Sequence, residues 1–160
     1  GMQLTIIEYV RNVIRLKNSG SSEFGKYKNN IISLMTEWNL KNKKIKRSKE
    51  NDLGATMRLG AYPCFIKKNS LASKIYRKKM ISERHRHRYE VNPKFKSIIE
   101  RGDLIFSGFS KDKKLLEIVE NKNHKWFLAV QYHPELKSKP FKPHPIFLSF
   151  IKNSLTHKNV

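Results

Sequence analysis

Cysteine is nearly absent from this 160-residue chain, and Cys64 stands alone. One thiol cannot form an internal disulfide, so no disulfide framework supports the fold, and a reducing cytoplasm is the simplest compartment. No run of eighteen apolar residues occurs, which leaves no candidate membrane-spanning helix. The opening "GMQLTIIEYVRNVIRL" carries Glu8, Arg11 and Arg15 inside its apolar pattern, against a secretory signal. Neither a cysteine pair nor an HExxH is present, so His85 and His87 alone would be half a zinc site, and no metal is expected. Acidic residues are also scarce, 13 against 34 Lys and Arg, for a formal charge of +21. That excess draws polyanions in general. Here it is scattered, dominated by lysine rather than arginine, and accompanied by abundant Asn and Ile, as the codon bias of an AT-rich genome would produce. Charge alone therefore assigns no partner.

What is present is an alternation of helical and extended patterns. Leu4, Ile7, Val10 and Ile14 form one stripe over residues 2–17, with Ile6 and Val13 beside it, a helical period ended by Asn18-Ser19-Gly20. No capping residue precedes this helix. Residues 18–29 read as polar loop, 31–38 as a strand and 39–54 as a charged surface excursion. A strand interrupted by Gly60 and Pro63 follows over 56–68, then a short helix over 70–79 capped by Ser70. Residues 80–91 alternate as a strand. Asn92, Pro93 and Gly102 delimit a helix, and three more strands occupy 104–110, 115–121 and 126–132. An amphipathic helix over 144–155 closes the chain. Strands alternating with helices indicate an α/β layer fold.

Two stretches could carry chemistry. In "QYHPE", His133 and Glu135 lie two apart, on one side of an extended chain and roughly 6.5 Å from each other at about 3.3 Å per residue. A carboxylate at that span fixes the imidazole tautomer and supports its charged form, as in a base with its orienting acid. The same letters also suit a surface turn stiffened by Pro134. Cys64 is a poor nucleophile for this base. It follows Pro63 inside an apolar strand, whereas reactive thiols sit at helix N-termini or sharp elbows, and it reads as a small core residue. In "SERHRHRYEVNP", Arg84, Arg86 and Arg88 face one way on a strand, and His85, His87 and Tyr89 the other. Three aligned arginines suit a phosphate or a carboxylate.

Taken together, "GMQ", "SSEF", "TEW", "DLGATMRLGAYPC", "ERHRHRYEVNP", "YHPELKSKP" and "HPIF" stand in the order and near the spacing of one family. From Gly1 to about Leu155 the chain resembles the glutamine amidotransferase domain of CTP synthases. TMRLG and ERHRHRYEVN mark that family rather than class I amidotransferases at large. The resemblance implies a flavodoxin-like three-layer α/β fold, with residues 1–155 as part of that domain and 156–160 as a tail. It further implies that GMQ ends an elbow of the form G-x-C-x-G-M-Q, with the nucleophilic cysteine and several strands upstream of Gly1. On that basis the stretch is expected to be inactive and poorly folded by itself. A catalytically dead relic and a basic nucleic-acid-binding module are the alternatives.

The resemblance also implies roles. His133 would shuttle the proton and Glu135 orient it. Gly1, Met2 and Gln3 would lie beside the nucleophile, Glu23 would take the ammonium of the substrate L-glutamine, and Arg88 its carboxylate. The ammonia would pass to an N-terminal synthetase domain that aminates UTP with ATP and Mg2+ and forms the family's homotetramer. No cofactor, nucleic acid or membrane is expected for this stretch itself.

Overall fold

The computed structural model describes residues 1–34 and 57–156. The TEW motif, the charged excursion and the start of DLGATMRLG lie outside them, as do residues 157–160. Helix α1 (Met2–Asn12) leads into strands β1 (Ser19–Ser21) and β2 (Asn29–Leu34). After residue 57 come β3 (Arg58–Ile66), α2 (Leu71–Tyr76), β4 (Met80–His87), β5 (Tyr89–Val91) and α3 (Lys96–Ile99). Strands β6 (Leu104–Phe109), β7 (Leu116–Asn121) and β8 (Leu128–Val130) precede the closing helix α4 (Pro145–Thr156). Two sheets result, ordered β1-β2-β5 and β4-β3-β6-β7-β8. Among the described residues, β1 and β2 pair in parallel and the other ladders are antiparallel. The fold is α/β, as the alternating patterns indicate.

Helix α1 is shorter than its apolar period suggests, and its buried face is rotated. It ends at Asn12 because Arg15 and Asn18 turn left-handed, with φ of 62° and 53°. The buried residues are Met2, Ile6, Ile7, Tyr9 and Val10, whereas Leu4 and Val13 are exposed. The "polar loop" holds β1, whose Ser-Gly-Ser is almost fully buried. A Cβ on Gly20 would overlap the Tyr27 ring, so close packing explains a strand that propensity does not announce.

Strand β3 is not interrupted. Its ladder to β4 runs unbroken from Arg58↔His87 to Phe65↔Met80, through Gly60 and Pro63. Beyond β4 it borders β6 only at Phe65 and Ile66, so at Pro63 one side is a sheet edge where a lost N–H is tolerated. The strand expected over 80–91 is two strands. At Arg88 the chain leaves the five-stranded sheet, and Tyr89–Val91 pairs with β2 in the other. Arg88 thus lies at the crossing and is half-buried, while Arg84 and Arg86 are exposed.

Ser70 caps α2 as expected, in a reciprocal box with Ser73. Glu120 adds to that cap, accepting from the amides of Leu71 and Ala72 at 2.8 Å each. The helix expected over 92–102 begins as a 3-10 turn (Pro93–Phe95) with Asn92 accepting from Lys94 N, and is helical only to Ile99. Helix α4 runs through Thr156, into the expected tail. Only Ile146 of α4 is buried, and Phe147, Leu148, Phe150, Ile151 and Leu155 are exposed. One apolar core joins α1 to β2, β5, β6 and β7, and a second gathers Cys64, Tyr76, Ile81, Tyr132 and Ile146.

Candidate active site

The first turn of α1, the end of β8 and the turn after it surround a cavity of about 800 Å³. Gly1, Met2 and Gln3 form one wall, and Gln131, His133 and Glu135 another. The first amides of a helix have no partner within it, and the aligned peptide dipoles place partial positive charge there. Gly1, the N-cap of α1, has no side chain to make a capping hydrogen bond.

His133 Nδ1 lies 2.6 Å from Glu135 Oε1. The two do not meet across an extended chain. Pro134–Leu136 forms a 3-10 turn, and the turn brings the carboxyl back to the ring. With Nδ1–H donating to Glu135, Nε2 is left to exchange a proton. Burial pushes the Glu135 carboxyl up, but its own amide and His133 together hold it below the ordinary value. The His133 amide donates to Arg84 O at 2.8 Å, which fixes the ring's starting point on β4.

Gln3 lines the cavity, yet its side chain is already committed. Its Nε2 donates to Tyr89 O at 2.8 Å, and Gln131 Nε2 donates to the same oxygen at 2.9 Å. One carbonyl of β5 therefore ties both walls together. Met2 lines the cavity and is almost fully buried in the first core. Glu23 is exposed on the turn after β1, between Ser21 and Phe24, which both line the cavity. Arg88 follows His87, another lining residue. The structure thus gathers Gly1, Gln3, His133 and Glu135 around one space; Glu23 and Arg88 are not among its lining residues and only adjoin lining residues in sequence. Gln131 was not singled out by motif reading, although it stands in the quoted QYHPE, and His87 was read only as part of the H-x-H pattern.

Cys64 is fully buried in the second core, and burial, then Glu117, pushes its thiol up. It is a core residue, as its setting indicated.

Behind the cavity lies a buried charge cluster. Arg58 Nη1 is 2.9 Å from Glu90 Oε1 and 2.8 Å from Glu117 Oε1, with Tyr62 stacked on the guanidinium. His87 Nε2 is 2.7 Å from Glu90, and His85 Nε2 is 3.7 Å from Glu117. These contacts account for both histidines of the H-x-H pattern, and the described residues contain no cluster that could hold a metal ion.

Burial, then the charges of Arg58 and the neighbouring histidines, lowers His85 to about 2. The unfolded chain binds a proton there below pH 6.5, the folded one only near 2, so stability is lost as pH falls through that window. Burial raises Glu117 to about 7 against Arg58, and this group acts oppositely between pH 4.5 and 7. The His85 effect is therefore read below pH 4.5. Replacing His85 with Gln should flatten the fall of the urea midpoint between pH 4.5 and 3. An unchanged slope would show that another group drives acid unfolding.

The fold is that of an amidotransferase: residues 1–153 match the family "Glutamine amidotransferase class-I", and the chain belongs to it. Within it, the chain resembles CTP synthases along its whole length. It is 57% identical over 158 residues to CTP synthase of Pelagibacter ubique (strain HTCC1062), covering 99% of this chain and 29% of that protein. With CTP synthase of Rhodospirillum rubrum it shares 50% over 160 residues, covering 100% and 30%. The solved glutaminase domain of Trypanosoma brucei CTPS, with bound acivicin, superposes with a TM-score of 0.83 at 35% identity, covering 98% of this chain and 58% of that one. The chain thus spans under a third of these two bacterial synthases. No helix of the described residues is long and apolar enough to cross a membrane.

Proposed function

We propose that this chain is the part of a CTP synthase that hydrolyses glutamine, supplying ammonia for the ATP-dependent amination of UTP. The observation that carries this reading is the His133–Glu135 pair opening on the cavity at the N-terminus of α1. In this reading a cysteine thiolate presented at that helix end attacks the side-chain amide carbon of glutamine. The new C–S bond forms, the C–N bond breaks, and His133 gives the leaving nitrogen its proton. Water, deprotonated by His133, then attacks the thioester and releases glutamate. Glu135 keeps the ring in the right tautomer throughout. Glu23 suits the substrate ammonium and Arg88 its carboxylate, the complement of charges that a free amino acid presents. Binding and amination of UTP, with ATP and Mg2+, and assembly into tetramers would fall to a synthetase domain.

The test is to supply the protein that carries this chain with UTP, ATP and Mg2+, and to measure CTP and glutamate with glutamine as the only nitrogen source. One glutamate per CTP is expected. Absence of both products, when ammonium chloride does support CTP formation, would leave the fold without the chemistry.

The exposed Arg84 and Arg86, with the charge of +21, favour a second reading as a nucleic-acid surface. That reading requires affinity for DNA or RNA that falls steeply with salt.

A further inference from the structure

Two motif residues have no place in the mechanism above: Glu83, which opens ERHRHRYEVN, and His144, which opens HPIF. Both are buried, at 2% and 3% exposure, and they meet, with His144 Nε2 3.1 Å from Glu83 Oε1. The other Glu83 oxygen lies 3.5 Å from Lys137 Nζ, and the same ammonium donates to Ser82 O. Lys137 directly follows the Pro134–Leu136 turn, and the His144 amide donates to Ser138 Oγ at 3.1 Å. The segment from His133 to His144 is therefore held on β4 at three successive residues. Ser82 and Glu83 hold Lys137, Glu83 holds His144, and Arg84 O holds the His133 amide. Among these three β4 attachments Glu83 contributes its side chain, which bonds His144 through one oxygen and stands in ion-pair range of Lys137 with the other.

We propose that Glu83 is a positioning residue for His133: by clamping Lys137 and His144 it sets where the turn places the imidazole relative to the end of α1. This inference rests on the glutaminase reading. Glu83 touches no substrate in it and acts only through the segment it holds. A displaced ring lowers the rate of the chemical steps while leaving the glutamine contacts at Glu23 and Arg88 alone. A shift of about 1 Å at a reacting group costs on the order of 100-fold in rate.

The experiment compares Glu83→Ala and Glu83→Gln in the full protein, measuring glutamine hydrolysis and, separately, CTP formation from ammonium chloride. Glu83→Ala should lower kcat for glutamine about 100-fold, with KM within roughly threefold and ammonia-dependent activity kept. Glu83→Gln retains an oxygen for His144 but loses the ion pair to Lys137, and should recover part of the lost kcat, which a role through charge alone would not allow. In a His133→Ala background, Glu83→Ala should cost nothing further. Unaltered kcat in Glu83→Ala, a rise confined to KM, or no rescue by Gln would each overturn the inference. So would loss of ammonia-dependent activity in both variants, because Glu83 would then serve folding in general. An inactive wild type would instead sink the glutaminase reading itself, so the two failures are distinguishable.

Discussion

On the proposed glutaminase reading, replacing His133 with Ala in the full protein should cripple glutamine-dependent CTP formation while ammonia-dependent formation continues. The expected loss is roughly 10²- to 10⁴-fold, the usual worth of a positioned acid–base group. The argument rests on geometry. His133 is the one imidazole of the cavity wall whose Nδ1 is held by a carboxylate, at 2.6 Å, which frees Nε2. His87 also lines the cavity, but its Nε2 is already bound to Glu90. Ammonia bypasses glutamine hydrolysis, so a variant lacking only this step keeps the second activity. Removing Glu135 should cost less, since the imidazole stays and only its tautomer and orientation are released. Equal loss of both nitrogen sources in His133→Ala would place the residue in the architecture rather than the chemistry.

The second large effect is on stability. Arg58→Ala would leave the carboxyls of Glu90 and Glu117 inside the protein, at 1% and 0% exposure, with no guanidinium between them. Breaking a buried pair in this way costs about 3–5 kcal/mol. A whole domain commands only about 5–15 kcal/mol, so the variant should melt far below the parent. Arg58→Lys should rescue only part of this, because an ammonium on a shorter stem lacks the planar guanidinium that stacks on Tyr62 while its Nη1 meets both carboxyls. The deficit should depend on pH, with a sign that can be checked. Burial already raises Glu117 to about 7, and without the opposing charge of Arg58 it holds its proton to still higher pH. A folded-state pKa above the unfolded one means stability present at low pH and lost as pH rises. The fall in Tm should therefore be smaller at pH 5.5 than at pH 8. A pH-independent deficit would mean that lost packing against Tyr62, not unpaired charge, explains the variant.

Much of the fold could be read from the chain because its signals are local. Ser70 and Asn92 as caps, the strands at 104, 115 and 126, and the inward histidines of β4 all follow from residue type and period. What could not be read depends on partners distant in sequence. β1 is a strand because Gly20 accepts the Tyr27 ring against it and β2 lies alongside. The face of α1 is chosen by the sheet it covers, which no period within the helix specifies. The sheet crossing at Arg88 is set by two separate strand neighbours, and a continuous alternation in sequence conceals it. At the site, motif resemblance named His133, Glu135 and Gln3. The bonds from Gln3 and Gln131 to one carbonyl, and the 3-10 turn under Glu135, appear only when the elements are assembled.

The crossing at Arg88 has a bearing on how the chain finds its pairing. A single residue separates the β4 ladder from the β5 ladder, so slack cannot accumulate between the sheets. A slip of one position in either ladder would turn the inward residues of both to the wrong side. Arg58 opposite His87 and Ile32 opposite Val91 are thus one alignment, proofread twice. Misregistered intermediates, which in separate sheets could persist, are here penalised in two cores at once.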